Sequence, residues 1–395
     1  MGKNIWTEYE CMELPDVLSF IVDNRGKTVP LDENGKHKLI ATNCIKNENL
    51  YPVYEKVRYL NEDTYENWFR AHPIPGDIIF VNKGTPGKVC LVPDPVDFCI
   101  AQDMMAFRVN DDIIYNKYLF AVLRSERIQG QIAATSVGDV IPHYKKQHLK
   151  EIKIPIPPMD IQVAIGDAYF MLCQKQEINN RIVNILEQQA KALYKSWFID
   201  FENNGYKMPP NYRKGIVDEV IELHDSKRKP LSGKVRGKLD KIYPYYGASS
   251  VMDYVDDYIF DGTYLLLGED GSVIDENGYP ILQYVFGKFW ANNHAHVITG
   301  KAGFSVEMLY LLFSSTHVND AITGAVQLKI SQQNLKRIEI VIPNEDDLNE
   351  FETIIQPIFQ KIKKVKNENS KLIQMRDSFI PKLMTGILDV EELIG

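Results

Sequence analysis

The feature that most constrains the fold is a phrase that the chain carries twice. HLKEIKIPIPP begins at His148 and NLKRIEIVIPN begins at Asn334, 186 residues later. At this one spacing, without a gap, nine pairs of residues are identical: Gly138/Gly324, Val140/Val326, Gln147/Gln333, Leu149/Leu335, Lys150/Lys336, Ile152/Ile338, Ile154/Ile340, Ile156/Ile342 and Pro157/Pro343. Because the repeats of solenoids are about 20–50 residues long, this period predicts a duplicated domain.

The repeat extends upstream of the phrase. GDIIFV (76–81) corresponds to GTYLLL (262–267) at the same spacing, and residues 100–125 correspond to 290–315 at a spacing of 190. Short alternating apolar runs predict strands, and NKYLFAVLRS and VEMLYLLFSS have the 3–4 spacing of helices. The phrase itself predicts a strand in both halves, since its isoleucines alternate with mostly polar residues and prolines end the run.

After each copy of the phrase the apolar period becomes helical. Residues 160–198 contain no proline and predict one long helix or two closely joined helices. The second copy has a heptad seam of Leu348, Phe351, Ile355, Ile358, Ile362 and Val365. Pro357 predicts a kink or break just before it. Asn369 is a polar seam residue of the kind that fixes helix register.

These patterns predict a mixed α+β fold. It has two similar globular α/β domains, each followed by a long helix, and the helices pack as an antiparallel coiled-coil spacer. The predicted boundaries are 1–157 for the first domain, 158–202 for the first spacer helix, 203–343 for the second domain and 344–395 for the second spacer helix. ENNGYKMPPNYRKG (202–215) is typical of a connector.

Length and composition limit the class of protein. A chain of 395 residues is long enough for two domains, and 45% hydrophobic with 25% charged residues is typical of globular proteins. Five cysteines without a C-x-x-C pair suggest neither disulfides nor zinc, so we expect a reducing cytoplasm. We expect no membrane span, since the apolar runs are short. A net charge of −8 means that any contact with DNA needs local basic patches.

Two stretches resemble a known family. LEQQAKALYKSWFIDFE (186–202) is similar to the central conserved region of specificity subunits of type I restriction–modification enzymes. LIQMRDSFIPKLMTGILDVEEL (372–393) is similar to their distal conserved region. GDIIFVNKGTPGKVCLV (76–92), the strand ending in IPIPP, and YPYYGASSVMDYVDDYIFDGTYLLLGEDG (243–271) also resemble that family.

The resemblance implies a non-catalytic DNA sequence-specificity subunit. Each globular domain would be a target recognition domain that reads one half of a bipartite, asymmetric site in double-stranded DNA. The helices would fix the half-site separation and dock two modification (methyltransferase) subunits, and restriction (translocase/endonuclease) subunits would join them. S-adenosylmethionine, ATP and Mg²⁺ would be needed only in those partner subunits.

The candidate DNA contacts lie in loops that the repeat does not match. Asn and Gln can pair with adenine and basic residues can contact phosphate. The candidates are Arg25, Lys27, Thr28, Lys83, Thr85, Lys88, Gln102, His143, Tyr144, Lys145 and Lys146 in the first half, and Lys227, Arg228, Lys229, Lys234, Arg236, Lys238, Asn292, Asn293, His294 and Lys329 in the second. Asn292, His294 and His296 are predicted on one face of a strand. Residues 224–241 are the most basic stretch, which is typical either of a solvated loop or of a phosphate-binding loop.

Five apolar residues are candidates for partner docking because large apolar side chains anchor interfaces: Leu193, Trp197, Phe198, Phe379 and Leu383. Packing between the helices would explain them equally well. No metal or catalytic site is predicted, since GTPGK (84–88) lacks the P-loop spacing and neither G-x-S-x-G nor H-E-x-x-H occurs. Two alternatives stay open, a stand-alone DNA-acting enzyme with an unrecognised site and a duplicated adaptor that does not bind DNA.

Overall fold

A computed structural model describes residues 2–24, 28–135, 142–324 and 327–390. The chain forms two compact units. The first comprises Met1–Asn180 and Glu368–Gly395, and the second comprises Arg181–Asn367. Each unit contains one copy of the repeated phrase and a segment of both long helices, so the units are divided differently from the predicted domains.

The first unit contains two small sheets. Its elements in chain order are the strands β1 (Cys11–Glu13), β2 (Leu18–Val22), β3 (His37–Ile40), β4 (Arg58–Leu60), β5 (Ile78–Val81), β6 (Val89–Leu91), β7 (Phe98–Ile100), β8 (Met104–Val109) and β9 (Lys153–Pro155), and the helices α1 (Glu62–Asn67), α2 (Asn116–Leu123), α3 (Glu126–Thr135) and the start of α4 (Met159–Phe198). One sheet has the order β2-β8-β5-β6 and the other β4-β3-β7.

Strand β5 shows why the larger sheet of this unit is buried on both faces. Ile78 and Phe80 belong to one core cluster, and Ile79 and Val81 belong to another. Successive side chains of a strand point to opposite faces, so an unbroken apolar run can fill two cores. The apolar residues of α2 join the cluster that contains Ile78 and Phe80.

The second unit contains one larger sheet. Its elements are β10 (Arg213–Ile216), β11 (Ile221–Leu223), β12 (Tyr243–Tyr246), β13 (Val251–Val255), β14 (Phe260–Gly268), β15 (Leu282–Ala291), β16 (Ala295–Gly300), β17 (Ile322–Thr323), β18 (Lys329–Ile330), β19 (Glu339–Ile342), α5 (Gly233–Arg236), α6 (Val306–Ser314), α7 (Gln332–Lys336) and the start of α8 (Glu345–Met384). The sheet order is β11-β16-β14-β15-β12-β13.

One strand difference separates the two sheet arrangements. In the second unit, β15 pairs antiparallel with β14 along its length and, through Trp290 and Ala291, parallel with β12. In the first unit these two pairings are made by two strands, since β6 pairs with β5 and β7 pairs with β3. The long β15 thereby joins into one sheet what is two sheets in the first unit.

The repeated phrase forms the same structure in both units. A short helical turn (Lys146–Glu151) or helix α7 precedes the strand, and the strand itself is β9 or β19. Strand β9 pairs antiparallel with β1, and β19 pairs antiparallel with β10. Each of these strands is followed by a long helix, as predicted.

Both long helices are continuous. Helix α4 is a single helix, which settles the alternative of two joined helices. Helix α8 continues through Pro357, so the predicted break there is wrong. The seam residues on either side of the proline explain this: Ile355 and Phe359 are buried, and their burial outweighs the one hydrogen bond that proline cannot donate.

Within each unit the two helix segments run antiparallel. In the first unit, Asn179 donates to Glu368 at 3.0 Å and Asn369 donates to Oδ1 of Asn180 at 2.7 Å. In the second unit, Lys366 pairs with Glu187 at 3.0 Å, and Phe351 packs against Phe198 with ring centroids 4.8 Å apart. Asn369 is buried at the seam, as predicted. Among the described residues no helix combines the length and apolarity needed to cross a membrane.

Candidate nucleic-acid interface

In each unit two loops that the repeat does not match lie side by side. In the first unit, Lys83 and His143 form an isolated β-bridge, and Gly84 N–H donates to Pro142 O at 2.9 Å. In the second unit, Asp270 and Lys329 form the corresponding bridge, and Gly271 N–H donates to Leu328 O at 3.0 Å. We call residues 82–88 with 142–146 the first loop edge, and residues 269–275 with 328–331 the second loop edge.

The first loop edge carries exposed cations. Lys83 and Lys146 make only long ion pairs, at 3.8 Å to Asp103 and 3.5 Å to Asp23. Thr85 and Lys145 are exposed, and Lys88 and His143 are partly exposed. The structure therefore brings six sequence candidates to one surface: Lys83, Thr85, Lys88, His143, Lys145 and Lys146.

Tyr144 is a correction to the candidate set. It is fully buried in the core, 5.9 Å from the Phe80 ring, and its hydroxyl donates to His148 O. Burial raises the pKa of this phenol to about 12. A side chain enclosed in this way supports the loop and cannot contact DNA.

A small concavity lies next to the first loop edge. Its volume is about 60 Å³, and its polar lining residues are Thr28, Thr42, Arg58, Gln102 and Asp103. Thr28 and Gln102 are two sequence candidates that are 74 residues apart in the chain. Asp103 links the concavity to the loop edge, because Asn82 N–H donates to Asp103 O at 3.0 Å.

The second loop edge is held by a network of ion pairs. The Arg228 guanidinium contacts Asp225 at 3.3 Å and Glu269 at 2.7 Å, and it donates to Ala295 O at 2.6 Å. His296, fully buried, bonds to Asp225 at 2.6 Å and to Ile330 O at 2.8 Å. Arg228 is 90% buried and committed to these partners, so its candidacy as a phosphate contact is a second correction.

The charges of this network are balanced. Burial acts to raise the pKa of the Asp225 carboxyl, but the His296 hydrogen bond, the Val297 N–H and Arg228 outweigh it and hold that pKa below its ordinary value. Asp225, Glu269 and His296 are also grouped closely enough to hold a metal ion. Because Arg228 already bridges both carboxylates, the arrangement supplies its own cation, and we assign it as an ion-pair network.

The remaining candidates on the second loop edge are partly committed. Lys329 is exposed and pairs with Glu269 at 3.1 Å. Asn292, Asn293 and His294 lie in the turn between β15 and β16, and His296 is buried in β16, so the predicted shared strand face is wrong. His294 bonds to Asp270, and Asn293 is exposed.

The basic stretch 224–241 divides into two groups. Lys227, Lys229, Lys234 and Lys238 are exposed. Arg236 is mostly buried, bonded to Asp253 at 3.0 Å and stacked on the Tyr245 ring, so it is committed to the fold. Hydrogen bonds from Lys241, Tyr254 N–H and Arg236 lower the pKa of Asp253 to about 2. Four of the predicted phosphate contacts of this stretch are therefore available at the surface.

The docking candidates mostly belong to the cores. Phe198 and Leu383 are buried, and Leu193, Trp197 and Phe379 are partly buried against the same clusters. Trp197 and Phe198 both pack on the Phe351 ring. For Phe198 and Leu383 packing is thus the correct alternative. Exposed apolar residues of the long helices that we did not predict are Met171, Ile178, Ile185 and Met375.

Arg25 and Lys27 lie outside the described residues. Sequence reasoning missed Arg58, Asp103 and Thr42 beside Gln102. Asp103 could have been found, since it follows Gln102 directly, whereas Arg58 is brought there by the pairing of β4 with β3.

Known proteins share this sequence pattern and fold. The model of the type I restriction modification DNA specificity domain matches residues 8–188 and 211–374. The specificity subunit of the type I restriction enzyme MjaIX of Methanocaldococcus jannaschii is 24% identical over 351 residues, covering 80% of this chain and 79% of the relative. A Haemophilus influenzae protein, provisionally named a type I restriction enzyme specificity subunit, is 38% identical over 127 residues, 32% of either chain.

A solved structure supports the fold. The S subunit of a type I restriction–modification system from M. genitalium superposes with a TM-score of 0.56 at 16% identity, covering 95% of this chain and 96% of that chain. The fold class predicted from the repeat and the helical periods is thereby confirmed.

Proposed function

This chain belongs to the family of DNA specificity subunits of type I restriction–modification systems, and from that premise we propose that its two units each read one half of a bipartite, asymmetric site in double-stranded DNA. The observation that carries the proposal is the pair of loop edges. The frame is repeated, but the side chains on the two edges differ, so two related domains present different surfaces. Different surfaces on one frame suit two different half-sites.

The long helices have a second proposed role. We infer that α4 and α8 determine the separation of the half-sites and dock two methyltransferase subunits. Their continuity supports this, because an unbroken helix of 40 residues is a stiff element. The exposed Met171 and Ile178 on α4 and Met375 on α8 are better docking candidates than the buried Phe198 and Leu383.

The chemistry is assigned to partner chains. We infer that the subunit is non-catalytic and that methyl transfer, DNA cleavage and translocation occur in methyltransferase and restriction subunits, which would bind S-adenosylmethionine, ATP and Mg²⁺. The clustered His and acidic groups of the second unit support this, since Arg228 neutralises them. A subunit that reads chromosomal DNA would work in the cytoplasm.

Methylome sequencing with and without the gene tests the function. Deletion should abolish methylation at one split motif, and an unchanged methylome would contradict the proposal. Exchanging residues 1–157 for those of a relative should change one half of that motif only. A change in both halves would contradict the assignment of one half-site to each unit.

A further inference from the structure

An amide at the first loop edge has no partner. Oε1 of Gln102 is buried, yet no hydrogen-bond donor reaches it from any described residue. Gln102 lies in the turn between β7 and β8 and lines the 60 Å³ concavity with Thr28, Thr42, Arg58 and Asp103. A buried acceptor without a donor costs about 1–3 kcal/mol, and buried polar groups in native proteins are nearly always satisfied. This orphaned acceptor therefore calls for an explanation.

The second unit shows that the frame does not require it. Asn292 corresponds to Gln102 at the 190-residue spacing and lies in the equivalent turn. Its Oδ1 accepts from His294 N–H at 2.8 Å, its Nδ2 lies 3.4 Å from the Met252 sulfur, and the residue is 3% exposed. The amide of the second unit is thus used within the protein, and that of the first unit is left open.

The concavity is placed where DNA would be held. Asp103 forms one wall and contacts Lys83 on the first loop edge at 3.8 Å. Arg58, on the opposite strand pair, is exposed. Cations beside a small polar concavity supply phosphate contacts around a group that can read a base edge.

We propose that Gln102 determines specificity in the first unit by reading the major-groove edge of one adenine. The Oε1 acceptor would receive the adenine N6–H, and the Nε2 donor would bond to N7, the bidentate pairing that an amide makes with adenine. The space is small, which suits an exocyclic amine and excludes a whole flipped base. This inference rests on the proposed function and adds to it a residue, a unit and a base.

The test compares Gln102→Met with Gln174→Met. Methionine keeps the length of the side chain and removes both polar atoms. Gln174 is an exposed glutamine on α4 in the same unit, so it controls for the chemical change. Each variant is purified as the whole methyltransferase complex through a tag on this chain. The probes are duplexes carrying the methylome-derived motif, with every position replaced in turn by the other three bases.

We expect Gln102→Met to lose discrimination at one adenine of one half-site, by about 5- to 150-fold, while discrimination at all other positions is kept. The melting temperature should stay unchanged or rise, because an unsatisfied acceptor is removed. Gln174→Met should change neither quantity.

Three results would overturn the inference. Unchanged discrimination at every position would mean that water alone fills the concavity. A uniform loss of binding to all duplexes, or a loss at a base other than adenine, would deny Gln102 this reading role. A lowered melting temperature with unchanged base preference would make Gln102 structural. By contrast, a wild-type complex without any motif would refute the proposed function.

Discussion

The two loop edges are built on the same backbone ladder, and they differ in what their side chains do. On the first edge, Lys83 and Lys146 make long ion pairs at the surface, and Gln102 nearby is unpaired. On the second, Arg228, Asp225 and His296 bond to one another below the surface. Basic residues in corresponding loops can therefore either contact a ligand or hold the loop in place, and burial decides which.

The largest effect should come from breaking the buried network of the second unit. Arg228→Met would leave Asp225 and Glu269 without their shared cation, and breaking a buried pair by removing one partner costs about 3–5 kcal/mol. Urea denaturation should show the loss, and hydrogen exchange should place it in β16 and α6. Lys229→Met is the matched control, since Lys229 is exposed. A loss as small as that of the control would mean that the network does not stabilise the fold.

The same network should give the second unit an acid-sensitive stability. The pKa of Asp225 is lowered in the folded protein, so its contribution is present above the unfolded carboxyl pKa, near 4, and is lost as the pH falls through the lower folded value. Arg228, His296, Gln332 and Val297 N–H all face this carboxylate. Asp225→Asn should cost about 2–3 kcal/mol at pH 7 and less at pH 3, measured by denaturation at both values. An equal cost at both would show that the charge is unimportant.

A smaller effect should separate the two corresponding amides. Asn292→Ala removes the acceptor of the His294 N–H and should destabilise the protein by about 1–2 kcal/mol. Gln102→Met should instead be neutral or stabilising in the same denaturation experiment. If both substitutions lowered stability equally, the contrast between a satisfied and an open amide would be wrong.

The smallest change in stability should come from Lys83→Met, under about 1 kcal/mol, because an exposed ion pair contributes little. Its effect should appear in binding: affinity for all sequences should fall together, and the dependence of log K on log salt should weaken by about one. Lys36→Met, an exposed lysine before β3, should leave the salt dependence unchanged. A change in base preference would show that Lys83 reads sequence and not phosphate.

The sequence by itself determined the repeated frame. Strands β5, β8 and β9, helix α2 and both long helices follow from apolar periods of 2 and 3.5, since burial of one face needs only local spacing. The heptad seam also specified the antiparallel partner, and it held through Pro357 because the surrounding apolar residues are buried.

Only the tertiary structure decided which polar residues are free. Tyr144 is buried because Phe80, 64 residues earlier, packs on it. Arg228 is committed because Glu269 and Ala295 reach it from distant strands. Gln102 is open because its neighbours Thr28 and Arg58 arrive from other loops without filling the space. Local sequence records what a side chain is, and the partners that satisfy or expose it come from elsewhere in the chain.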